Sequence, residues 1–145
     1  MERFRYLPHT ADMRFRAYGS GFRKALENAA LALINVMLDI RKIGKLSSKP
    51  FAVPINESAD NEEELAWFTL QDILSRIDSR KLNAYSFRVA SISRGADGRI
   101  SMKGKLLCRK TAGDYALLSV KAVTPHSLAV KKKRGRTSID VVIDV

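Results

Sequence analysis

The chain has 145 residues, of which 46% are hydrophobic, and a formal net charge of +11. That length suits one domain spanning residues 1–145, able to bury about two thirds of the surface its unfolded form exposes. A lone Cys108 excludes an intrachain disulfide framework and a cysteine zinc site, and no stretch approaches the roughly 18 apolar residues of a membrane span. The charged opening Met1-Glu2-Arg3-Phe4-Arg5 is unlike an apolar secretion signal, so the expectation is a soluble cytoplasmic protein with no membrane partner.

Residues 3–7 and 13–18 read as strands, because Met13, Phe15 and Ala17 alternate with Arg14, Arg16 and Tyr18. The segment 8–12 then connects them. From Ser20 onward, Phe22, Leu26, Ala29, Ala30, Leu33, Ile34 and Met37 recur at helical spacing and predict a helix with one broad apolar stripe. Residues 42–50 read as a loop, and Phe51, Val53 and Ile55 as a strand in which Pro54 demands an edge or a bulge. Asp60-Asn61-Glu62-Glu63 has capping-box spacing ahead of a second helix running to about Ser79.

Beyond that helix the period is two. Tyr85, Phe87 and Val89 predict a strand, Gly95-Ala96-Asp97-Gly98 a hairpin, and Ile100 and Met102 its return. Further strands are expected at 116–124 and 128–134, with Gly135 turning the chain into 137–145. In that last strand Ile139, Val141 and Ile143 share one face, and Asp140, Val142 and Asp144 the other. The fold class expected is α+β: two helices packed on a mostly antiparallel β-sheet as a two-layer sandwich.

Charge is unevenly spread. Residues 1–79 hold eleven basic and eleven acidic side chains, whereas residues 80–145 hold fifteen and four. A positive face suited to polyanions such as RNA follows, and Lys131-Lys132-Lys133-Arg134-Gly135-Arg136 is a basic tip able to contact phosphates without reading bases. Asp144 and the backbone end at Val145 form a second feature. If the fold brings the two ends of the chain together, they join Asp12 to gather hard oxygen donors that hold a divalent cation of the calcium or magnesium type. Gly19-Ser20-Gly21 is a turn rather than a phosphate nest, and His9, His126 and Cys108 form no nucleophile–base pair.

Three segments carry a family resemblance. His9-Thr10-Ala11-Asp12 with Arg14-Phe15-Arg16-Ala17-Tyr18-Gly19 and the helix from Ala25 to Met37 is similar to the opening of an archease; Val120-Lys121-Ala122-Val123-Thr124-Pro125-His126 and the terminal Val141-Val142-Ile143-Asp144-Val145 resemble that family's other two signatures. The resemblance implies a non-enzymatic accessory protein of an RtcB-type RNA ligase in tRNA splicing, which promotes ligase guanylylation and multiple turnover. It also implies a metal site at Asp12 and Asp144, with Val145 adding an oxygen, for calcium or alternatively magnesium or manganese. The ligase is the implied partner, with tRNA a candidate partner of the basic second half. The alternative expectation is a general basic RNA-binding or RNA-chaperone module. Pro125, Arg136 and the acid-poor Leu65–Gln71 stretch depart from the family pattern.

Overall fold

Every second residue of Met13–Gly19 is apolar, and in the computed structural model, which describes residues 2–8 and 12–145, this segment is the buried strand β2. It follows β1 (Phe4–Leu7) and precedes α1 (Phe22–Met37). Next come a short α2 (Ile40–Gly44), β3 (Pro50–Ala59), α3 (Glu62–Arg80), β4 (Ala84–Arg94), β5 (Ile100–Arg109), β6 (Ala122–Lys133) and β7 (Arg136–Asp144). The expected α+β class holds. Its strands divide into two sheets, ordered β1-β2-β7-β6 and β3-β5-β4, with every pair antiparallel.

Helix α1 packs against β2, β7 and β1 of the first sheet and against β4 of the second, while α3 packs against β6, β3 and β5. The helices therefore occupy the inner faces of both sheets. This explains why α1 is buried almost all round, through Leu26, Ala29, Ala30, Leu33, Ile34 and Met37 among others, whereas α3 buries one stripe, including Leu70, Ile73 and Ile77. Each fully buried leucine or isoleucine contributes about 1.5–3 kcal/mol. Gly19 permits the tight β2–α1 connection, since a Cβ there would lie 2.3 Å from the Ala25 amide nitrogen.

Helix side chains also satisfy strand backbone. Trp67 Nε1 donates to the Val123 carbonyl (2.8 Å) and the Val123 N–H donates to Gln71 Oε1 (3.0 Å), so α3 covers the edge strand β6. At the β4 irregularity the Val89 N–H donates to Glu27 Oε2 at 2.8 Å, and Arg23 donates to the Val89 carbonyl.

Four details differ from the expectation. The helix cap is Asn61, whose side chain accepts from the Glu64 N–H at 2.8 Å, so the capping box is shifted by one residue because Asp60 still belongs to the chain leaving β3. The region 42–50 contains the end of α2, capped by the Asp39 side chain. Residues 116–121 are largely irregular, Ala116 making only an isolated bridge with Leu38, because backbone bonds run from Leu117 N–H to the Met37 carbonyl and from Asp39 N–H to that of Tyr115. Finally, β6 is one strand interrupted by a bulge between Thr124 and Ala129. Arg134 and Gly135 both have positive φ, as the tight β6–β7 hairpin requires. Pro54 is tolerated because β3 is an edge strand.

The Glu57 carboxyl in this frame is raised above the ordinary carboxylate range. Burial pushes Glu57 up to about 7, reinforced by a hydrogen bond and repulsion from Asp72 and opposed by Arg76, which itself bridges Asp72 at 3.2 Å. A carboxyl raised in the folded state contributes stability that is complete below its ordinary value of 4.5 and lost as the pH rises through 7. Glu57→Gln should therefore raise the thermal midpoint above the parent's at about pH 8.5 and match it at about pH 4, as read by calorimetry.

Candidate functional site

The last paired rung of β2 and β7 is Met13 with Ile143. One step further along the two chains come Asp12 and Asp144, with the parity of Arg14 and Val142. Asp12 and Asp144 thus each stand one residue beyond that rung, and both are partly buried. Asp144 is also opposite Ala122 on β6, and its carbonyl accepts the Lys121 N–H at 2.7 Å. Val145 follows, about a third exposed at 36%. His9, Thr10 and Ala11 lie outside the described residues.

Four positions from Asp144 along β7, Asp140 does different work. Its carboxylate is 5% exposed and accepts from Arg16 Nε at 2.6 Å and Arg14 Nη2 at 3.0 Å, with Lys131 Nζ 4.0 Å away. Burial by itself would raise the Asp140 pKa, but the hydrogen bonds and charges of Arg16 and Arg14 outweigh it and hold the group below the ordinary carboxylate value. The same hydrogen bond raises the Arg16 guanidinium. Asp140 is consequently consumed as an internal counter-ion. It also holds the Arg14 head group at 3.0 Å. This clamp is the main feature that reading the sequence missed. Arg14, Arg16 and Asp140 have the right parity, yet only the register of β2 on β7 reveals that they converge.

The described residues contain no group of three or more His, Cys, Asp or Glu side chains able to hold a metal. A cation at Asp12 and Asp144 would therefore complete its shell with backbone oxygens, water or groups from a partner, as hard oxygen-seeking ions accept. Both side chains supply the oxygen donors such an ion prefers, and neutralising their mutual repulsion favours binding.

His126 sits on the β6 bulge with Pro125 and Ser127, all three exposed, and no nucleophile is paired with it. Cys108 is buried in the second sheet, and burial pushes its thiol up to about 11, which suits a packing residue. The Lys131–Arg136 tip lies at the opposite end of β7 from Asp144, exposed throughout.

A groove of about 650 Å³ opens at the ends of α1 and α3, lined in part by Met37, Leu38, Ile77, Leu82, Leu117 and Leu118. Helix α1 starts where β2 finishes and returns over it with about the same length, so Met37 comes back to the end where β2 begins. The groove and the acid pair therefore share one end of the molecule. Leu117 and Leu118 are 61% and 42% exposed there.

The chain matches the model of the archease protein family over residues 4–145. It is 32% identical to the protein archease of Methanosarcina barkeri, covering 99% of this chain and 97% of that one, and 31% identical to the protein archease of Sulfolobus acidocaldarius, with both chains covered completely. Among solved structures, the fold is similar to that of a Methanobacterium thermoautotrophicum protein (TM-score 0.81, 24% identity, both chains fully covered). A crystal structure from Thermotoga maritima, described as an archease and possible chaperone, is similar at a TM-score of 0.56 and 20% identity, covering 96% of this chain and 94% of that one.

Cutting the clamp should be costly. Arg16→Met leaves the buried Asp140 carboxylate with Arg14 and the more distant Lys131, and chemical denaturation at pH 7 should show a loss of about 2–3 kcal/mol. A loss under ~0.5 kcal/mol would mean that the pair contributes nothing net.

Proposed function

The chain belongs to the archease family; on that premise we propose that it is a non-enzymatic activator of an RtcB-type RNA ligase in tRNA splicing, working in the cytoplasm. In this reading it helps the ligase accept guanylate from GTP at the ligase's own active-site histidine and lets it turn over repeatedly. Asp12 and Asp144 hold a divalent cation, calcium first and magnesium or manganese as alternatives, and a Val145 backbone oxygen adds to the shell. When bound, the ion supplies positive charge beside a site that is only partly enclosed by protein.

The observation that supports the reading is the β2–β7 register, whose last pair, Met13 with Ile143, leaves Asp12 and Asp144 each one residue beyond it. Chemistry of the donors agrees with it, since two carboxylates and a backbone oxygen leave several coordination positions for water or for a partner's groups. An open shell of this kind suits sharing an ion across an interface better than holding one for structure. The groove beside it gives a protein partner something to grip, because exposed Leu117 and Leu118 next to an apolar cleft have the composition of an interface core.

The decisive experiment is RNA ligation reconstituted with limiting ligase. The parent chain should raise the number of joins per ligase molecule well above one in the presence of the cation. Asp12→Ala combined with Asp144→Ala should abolish that stimulation and lower calcium affinity, measured by calorimetry, by at least about tenfold, while the melting curve stays that of a folded protein. Undiminished stimulation by the double variant would contradict the proposal.

A further inference from the structure

Among the described residues, α1 and α3 are the helices that pack on the β1-β2-β7-β6 sheet, and they lie on its inner face. Register fixes which side chains the outer face displays. Arg16 lies opposite both Arg5 and Asp140, and Arg14 opposite Val142. Lys131 lies opposite Ser138, and Lys133 opposite Arg136. Arg5, Arg14, Arg16, Lys131, Lys133 and Arg136 therefore share one side of four strands. Acids on that side are few: Asp140 is buried beneath Arg14 and Arg16, Glu2 pairs with Arg5, and Asp12 and Asp144 stand at one end.

We infer that this face docks the sugar-phosphate backbone of RNA. Three observations favour that occupant. First, the cations are ordered, because Asp140 fixes two guanidiniums at 2.6 and 3.0 Å and Arg136 lies over the Tyr18 ring at 4.4 Å. Ordered cations bind phosphates with less loss of side-chain freedom. Second, of the exposed large apolar residues, Tyr6, Phe51, Leu117 and Leu118 lie elsewhere and Val145 stands beyond the end of β7. A protein partner would find none of the apolar anchors that interfaces are built around, whereas a phosphate backbone needs only cations. Third, Tyr18, the aromatic ring that the register places on this face, is 6% exposed beneath Arg136, so bases cannot stack on it. Contact is thus to the backbone, independent of sequence, and suits a structured or duplex RNA.

The Lys131–Arg136 tip is then one end of a larger surface that runs toward the acid pair. RNA on the sheet face and a protein at the groove end would engage the molecule at once without overlapping. This inference does not rest on the ligase reading, and either can fail alone.

The test is binding of a short fluorescent RNA duplex to the full chain, followed by anisotropy across a salt series. Parent affinity should fall linearly on logarithmic axes. Lys131→Gln with Lys133→Gln should weaken binding about tenfold and flatten the salt slope by about two, one phosphate contact per lysine. Lys103→Gln with Lys105→Gln removes the same charge from the exposed side of the second sheet and should cost less than about threefold, with both pairs melting like the parent. Equal losses from the two pairs would reduce the effect to net charge and overturn the inference. So would no loss from the first pair, or competition by polyglutamate as effective as competition by RNA, which would make the partner an acidic protein.

Discussion

Pairing of β2 with β7 is the constraint on which the other features depend. It joins a strand near one end of the chain to the strand at the other through an unbroken run of seven rungs, Met13↔Ile143 to Gly19↔Thr137. The two strands present Phe15, Ala17, Ile139, Val141 and Ile143 to helix α1, all fully buried. Because side chains alternate, that inner apolar set dictates the outer one. A slip of one residue would turn the outer polar residues into the core, so the hydrophobic face specifies the register and the register specifies the polar chemistry outside.

From that register two electrostatic environments arise on one sheet face. In the middle, Asp140 is surrounded by arginine and cannot serve a metal. At the end, Asp12 and Asp144 each stand one residue beyond the last rung, with the Lys121 amide bound to the Asp144 carbonyl. The same residue type, four positions apart on one strand, is a structural counter-ion in one place and a candidate ligand in the other. Neighbouring charge decides the difference. A carboxylate between two guanidiniums is already neutralised, whereas a carboxylate beside another carboxylate gains by binding a cation.

Much of this architecture is readable in the sequence because hydrophobic period reports secondary structure directly. The α1 stripe, the alternation in β2 and the Gly95–Gly98 and Gly135 turns all lie where the pattern puts them. Short-range signals were weaker where backbone rather than side chains settles the outcome. Residues 116–121 have strand-like composition, yet the Leu117 amide binds the Met37 carbonyl and the preceding Tyr115 carbonyl accepts the Asp39 amide, and α2 is a five-residue helix capped by Asp39 and anchored by buried Ile43. Division of the strands between two sheets cannot be read from periodicity, which gives each strand a buried face without naming what covers it. The near-complete burial of α1 is the sequence's trace of that arrangement, since a helix so rich in alanine and leucine on all sides needs two surfaces to cover it. The clamp on Asp140 was hidden for a similar reason: parity was evident, but register was not.

Whether the acid pair is a cation site is most directly examined by adding manganese to isotope-labelled protein and following paramagnetic line broadening of backbone amides. At substoichiometric manganese the signals of Met13, Lys121, Ile143 and Asp144 should broaden first, while those of Leu106 and Cys108 in the other sheet remain sharp. Broadening centred on Glu62–Glu64, or none at the β2–β7 end, would contradict the assignment of the site.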